Sequence, residues 1–171
     1  GIYKLEGHKG SIGQVQLLRS GTIMNEVRKA AQILSDEYGI ASDVFSVTSF
    51  NEITRDAQDV DRYNMLHPDA DAKVPYLTTV LGDAPAIAAT DYMKNYAEQI
   101  RAYIPAESYR VLGTDGYGRS DSRENLRRHF EVNAGYVVVA ALTELVKQGK
   151  VESSVVVEAI KKFDIDTSKT N

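Results

Sequence analysis

Four times along the chain a short apolar run gives way to a small polar turn and then to residues spaced for a helix. Gln14 to Leu18 is followed by Arg19-Ser20-Gly21. Ile23, Val27, Ala30, Ala31, Leu34 and Tyr38 then recur on one helical face, with Gly39 placed for a left-handed C-terminal cap. Asp43 to Val47 leads through Thr48-Ser49 into a more polar helix from about Phe50 to Met65. After an irregular connection between Pro68 and Pro75, Ala86 to Ala89 leads through Thr90-Asp91 to a third helix. Tyr92, Tyr96, Ile100 and Tyr103 share its face, and Ile104-Pro105 closes it. Ser108 to Leu112 enters a glycine loop, and helices are expected near 122–130, 134–148 and 154–163. Tyr136 to Val139 has strand propensity, but Asn133 can cap a helix there and Ala140, Leu142, Leu145 and Val146 continue its period. Ile2 to Leu5 adds a candidate fifth strand. Strands alternating with helices in this way require a largely parallel sheet covered on both faces.

The chain is long enough for that design. Its 171 residues suit one domain, which buries roughly 70% of its unfolded surface. Twenty-four acidic against 20 basic residues give a net charge of −4 and oppose a nucleic-acid binder. No apolar run reaches the roughly 18–20 residues of a membrane span. The absence of cysteine removes disulfides, thiolate nucleophiles and Cys-ligated zinc, and fits a reducing compartment. The chain opens at Gly1 without an initiator Met, and is expected to be a piece of something longer.

Three junctions repeat a theme: Thr48-Ser49-Phe50, Thr90-Asp91-Tyr92 and Thr114-Asp115-Gly116. All should lie at the carboxyl ends of strands, where open α/β sheets place their crevice. Helix capping accounts for the first two: Ser49 with Glu52 spells a capping box, and Asp91 directly precedes its helix. Asp115 stands apart, because Gly113, Gly116 and Gly118 surround it and Arg119 follows. That loop has the glycines and the arginine to face an anion, but it matches neither a GxGxxG fingerprint nor a P-loop, and glycines in a tight turn need no ligand. Ser49, Asp91, Asp115, Gly116, Gly118 and Arg119 form a candidate ligand crevice. Asp121 to Glu124 spells another capping box. Arg119, Arg123, Arg127 and Arg128 make a basic cluster within reach of Asp121, Glu124 and Glu131, either a salt-bridge network or an interface. Arg123, Arg127 and Arg128 are the interface candidates. His8, His67 and His129 lack metal-ligand spacing, and no GxSxG elbow or calcium loop occurs. Ten tyrosines without tryptophan suit interfacial contact as well as a core. No catalytic set is visible.

The block from Gly113 to Val132 (GTDGYGRSDSRENLRRHFEV), with SVTSFNE at 46–52, NMLHP at 64–68, PAIAATDYMKNYAEQIRAYIP at 85–105 and YVVVAAL at 136–142, resembles one family over the whole chain. It is the homodimeric bacterial pyruvate dehydrogenase decarboxylating component, specifically its carboxyl-terminal domain. The resemblance implies a transketolase-like three-layer α/β/α sandwich on a mostly parallel five-stranded sheet, with the segment near Ile2 to Leu5 as its antiparallel strand. It implies a cytoplasmic parent enzyme that decarboxylates pyruvate with thiamine diphosphate and magnesium and acetylates a lipoyl group of the acetyltransferase component. That cofactor binds between other domains of two subunits. Its family motif begins GDG and ends NN; the nearest string here, Gly82-Asp83-Ala84, has no such partner. No catalytic, cofactor or metal residue is therefore assigned, no cofactor is expected on this chain alone, and the chain by itself should be inactive. Two roles stay open: packing against the remaining domains and a second subunit, or holding a small regulatory anion in the crevice.

Overall fold

A computed structural model describes residues 1–114, 123–129 and 131–169. Five strands, β1 (Ile2–His8), β2 (Gly13–Ser20), β3 (Ile40–Val47), β4 (Ala86–Thr90) and β5 (Tyr109–Leu112), form one sheet in the order β1-β3-β2-β4-β5. β2 pairs in parallel with β3 and β4, and β4 with β5; β1 alone runs antiparallel, against β3, as expected. α1 (Met24–Tyr38) and α6 (Ala134–Lys147) cover one face, and α7 (Ser153–Lys162) packs on α6. α2 (Phe50–Leu66), α3 (Tyr76–Val80) and α4 (Lys94–Glu98) cover the other. The architecture is the three-layer α/β/α sandwich. α5 (Arg123–His129) lies beyond β5 in sequence.

The central strand shows why the sheet is two-faced. Val15 and Leu17 enter the core under α1 and α6, while Leu18 enters the core under α2 and α4, and all three are fully buried. Apolar side chains on both faces of a strand are what a sheet covered on both sides needs. α1 follows its sequence pattern: Val27, Ala30, Ala31 and Leu34 are buried, and Gly39 takes φ 65° while its N–H returns to the Leu34 carbonyl. Asn133 caps α6 by accepting the Tyr136 N–H at 3.1 Å, so Tyr136 to Val139 is helical.

Two expectations are corrected after β4. The continuous helix from Tyr92 is instead the five-residue α4 followed by a separate 3₁₀ turn, Arg101–Tyr103. The Ala97 carbonyl, which a continuing α-helix would present to the Arg101 N–H, accepts the Tyr109 hydroxyl at 2.7 Å. Arg101 in turn donates to the Tyr109 carbonyl on the sheet edge at 2.7 Å. Burial holds the Tyr109 hydroxyl well above its ordinary pKa, as suits a fixed donor. The tyrosine stripe divides accordingly: Ile100 is fully buried, but Tyr92 and Tyr96 are 51% and 47% exposed. Nor does Asp91 cap α4, whose first turn has no side-chain cap.

Among the described residues, the α6 side contains one buried carboxylate. Glu144 is 2% exposed and meets Arg110 of β5 at 2.8 Å and Lys147 at 2.9 Å. Burial pushes its pKa up, but the bonds from Lys147 and Arg110 outweigh that and hold it below the usual value. The contribution of this network is thus full above the ordinary glutamate pKa of 4.5 and fades as pH falls through the lower folded value. Glu144→Gln should cost about 1–3 kcal/mol at neutral pH. Urea unfolding across a pH series should show that gap closing in acid; a pH-independent gap would contradict the ion-pair account.

Candidate functional site

β2, β3 and β4 end side by side at Ser20, Val47 and Thr90. From β2 the chain moves outward to β3 and then returns across β2 to form β4. The winding direction therefore reverses between β2 and β4, the position where open α/β sheets leave a crevice.

A cleft of about 270 Å³ opens there, on the α2 side. Ser20 of β2 lines its floor, residues 48–51 at the start of α2 form one wall, and Tyr92 and Tyr96 form the other. The two tyrosine rings meet edge to face, with centroids 6.3 Å apart and planes at 72°. Ser49 is the N-cap of α2 and accepts the Glu52 N–H at 3.1 Å, so the serine half of the capping box forms. The Glu52 side chain pairs with Arg55 instead, at 3.1 Å. Asn51 accepts from the Gln99 side chain at 2.9 Å, tying α2 to the end of α4.

Asp91 serves a different purpose. Its Oδ2 accepts from the Thr22 N–H at 3.0 Å and the Thr22 hydroxyl at 2.7 Å, clamping the β2–α1 turn to the end of β4. Gly21 in that turn has φ 80°, and a Cβ there would run into the Asp91 carboxylate. Thr114 joins the same knot through its N–H to Tyr92 O and its hydroxyl to Asp91 O, both at 2.9 Å. Of the six crevice candidates, Ser49 lines the cleft and Asp91 braces its rim; Asp115, Gly116, Gly118 and Arg119 lie outside the described residues.

Of the basic cluster, Arg127 and Arg128 turn to partners within the chain. Arg127 donates to Glu26 at 3.3 Å and to the Thr22 carbonyl at 3.1 Å, and Glu26 also accepts the Ala134 N–H at 2.9 Å. Arg128 binds both the carbonyl and the carboxylate of Asp164 at 2.9 Å. Arg123 opens α5, and its side chain lies outside what is described. Ser122 of the expected capping box is likewise outside.

At the opposite end of the strands, a shallow depression of about 490 Å³ is bordered by Asp83, Glu107 and Lys150. Here Gln16 grips the 82–84 loop, donating to the Gly82 and Ala84 carbonyls at 2.9 and 2.7 Å and accepting the Gly82 N–H at 2.7 Å. The string nearest to the thiamine diphosphate motif is thus occupied by an internal amide latch. Among the described residues, no three acidic or histidine side chains converge as a metal site would need. Those residues do not fit that cofactor.

Residues 1–133 match the family described as "Transketolase-like TK C-terminal domain". The chain belongs to that family. Its whole length is 63% identical to the pyruvate dehydrogenase E1 component of Escherichia coli K12 and 57% identical to that of Haemophilus influenzae. It spans about a fifth of those relatives, 19% and 20% of their length. Transketolase from Leishmania mexicana superposes with a TM-score of 0.54 at 21% identity, over 86% of this chain and 18% of that one. The Campylobacter jejuni transketolase gives the same TM-score at 18% identity, over 84% and 18%. The fold expected from the sequence is the fold of this family.

Sequence reading missed Ser20, Asn51 and the two tyrosines as cleft residues. Ser20 follows Arg19 after the Leu17-Leu18 pair of β2 and reads from the sequence as the start of a turn, with no signal of a cleft. For the brace beneath the cleft, two glycines give a controlled comparison. Gly149 has φ 73°, and the Cβ of an alanine there would meet nothing within 4 Å, whereas at Gly21 it would meet Asp91. Gly149→Ala should cost about 1 kcal/mol from backbone strain alone. Gly21→Ala should cost clearly more, because Asp91 must also leave Thr22; equal melting temperatures for the two variants would contradict the clamp.

Proposed function

We propose that this chain is the carboxyl-terminal domain, residues 1–171, of a bacterial cytoplasmic pyruvate dehydrogenase E1 component, and that its work there is assembly. The parent enzyme is an oxidoreductase of the pyruvate dehydrogenase complex, acting between glycolysis and later pyruvate metabolism. It decarboxylates pyruvate with thiamine diphosphate and magnesium and passes the acetyl unit to a lipoyl group of the acetyltransferase component. This domain carries none of that chemistry; it packs on the other domains of its chain and on a second, identical subunit. The single observation that carries the reading is 63% identity over all 171 residues to a protein of that name, of which the chain spans 19%.

The surface supports the assembly role. Met65, Leu66, Val74 and Tyr76 are all exposed at one end of the α2–α3 layer. They are gathered there because Asn64 exchanges two 2.9 Å hydrogen bonds with the Lys73 backbone and because the Tyr76 N–H is held by Asp56 at 2.8 Å. A group of exposed large apolar side chains fixed in place by polar bonds suits a surface meant to be covered. Arg127, already committed to Glu26, is the weaker interface candidate; Arg128 keeps an exposed guanidinium.

The test uses the full-length protein. Val74→Glu with Tyr76→Glu should weaken dimerisation at least about tenfold, roughly 1.4 kcal/mol, in sedimentation at falling concentration. Both sites are solvent-exposed in this chain, so its melting temperature should barely change. Unchanged sedimentation with unchanged pyruvate turnover would sink the assembly role of this surface.

A further inference from the structure

The start of α2 and the end of β2 bring unused hydrogen-bond donors to one place. A helix leaves its first N–H groups without intrahelical acceptors. In α2 two of these are taken: Ser49 N–H reaches the Gly1 carbonyl at 3.3 Å, and Glu52 N–H reaches Ser49 Oγ at 3.1 Å. The Phe50 and Asn51 N–H groups meet no acceptor among the described residues, and both residues line the cleft. Across from them stands Ser20, on a different element. It is only 6% exposed and lines the same cleft, yet its hydroxyl has no hydrogen-bond partner among the described residues. The hydroxyl thus has only the cleft to face, and is free to bond what enters it. Ser49 Oγ accepts from Glu52, so its own O–H remains available to donate.

The charge and shape of the cleft restrict what these donors can take. Among the described residues no carboxylate faces them: Asp91 is turned to Thr22, and Glu52 is paired with Arg55. No described lysine or arginine lines the cleft either, so the positive end of the α2 dipole sets its polarity. That partial charge suits a single oxyanion head. The half-exposed Tyr92 and Tyr96 rings, set edge to face, supply an angled aromatic wall beside it. A volume of about 270 Å³, at the lower end of ligand pockets, admits one ring with its head group.

From this geometry we propose that the cleft binds a small aromatic oxyanion, a carboxylate or phosphate carried on one flat ring. The head lies against the Phe50 and Asn51 N–H groups and the Ser20 and Ser49 hydroxyls, and the ring packs in the angle between Tyr92 and Tyr96. The site stands on residues distinct from the Val74–Tyr76 surface, so it survives or fails independently of the assembly role.

The probes are benzoate, phenyl phosphate and neutral benzamide, titrated into the ¹⁵N-labelled chain. Saturable shifts of the Phe50 and Asn51 amides are expected with the anions, at least about tenfold weaker with benzamide; the tighter anion identifies the head group. Ser20→Ala should weaken the anion at least about fivefold without lowering the melting temperature, because the hydroxyl it removes has no partner. Asn51→Pro, which deletes one N–H in a helical turn that tolerates proline, should weaken it similarly, while Asn51→Ala, which keeps that N–H, should not. Absence of saturable shifts, an equal response to benzamide, or full affinity in Ser20→Ala would overturn the proposal.

Discussion

β2 is hydrogen-bonded on both sides and buried on both faces, and the rest of the molecule is arranged by what holds its two ends. Its amino-terminal half is fixed by Gln16, whose amide satisfies both polar groups of Gly82 and the Ala84 carbonyl. Its carboxyl end is fixed through the following turn by Asp91, which spans from β4 to Thr22. Both clamps cross the reversal in winding, where no short connection joins the neighbouring strands. A parallel pair has no hairpin to hold its register, so side-chain clamps at the two ends supply that restraint.

The cleft is a by-product of the same arrangement. With Asp91 drawn to the α1 side, the α2 side of the switch point keeps only neutral donors among the described residues: the first turn of α2, Ser20 and the tyrosine wall. Tyr92 precedes α4, which begins at Lys94, and Tyr96 lies within its short span, so the two tyrosines do not share one continuous helical face with Ile100. A continuous helix with Tyr92, Tyr96 and Ile100 on one face would have placed all three side chains against the sheet.

Local pattern made most of the frame legible. The strands, α1 with its Gly39 cap, the Ser49 cap of α2 and the Asn133 cap of α6 all depend on residues a few positions apart, where propensity and spacing act. What escaped was set by partners far away in sequence. Asp91 looks like a cap because it precedes a helix, but its ligand is Thr22, 69 residues earlier. Tyr109 of β5 takes the Ala97 carbonyl near the end of α4. α3 is too short to leave a period, and Ser20 looks like any turn residue until the cleft above it exists. The basic cluster was ambiguous between network and interface; Arg127 joins the network by reaching Glu26, 101 residues away.

The clamp at the switch point is the feature most open to direct measurement. Amide hydrogen exchange in the wild-type chain and in Asp91→Ala reports it residue by residue. The Thr22 N–H should lose protection by about tenfold or more, as expected for losing a bond to a charged acceptor, while Leu17 and Leu18 keep theirs. Equal protection of Thr22 in the two proteins would contradict the account, because Asp91 would then hold nothing across the sheet.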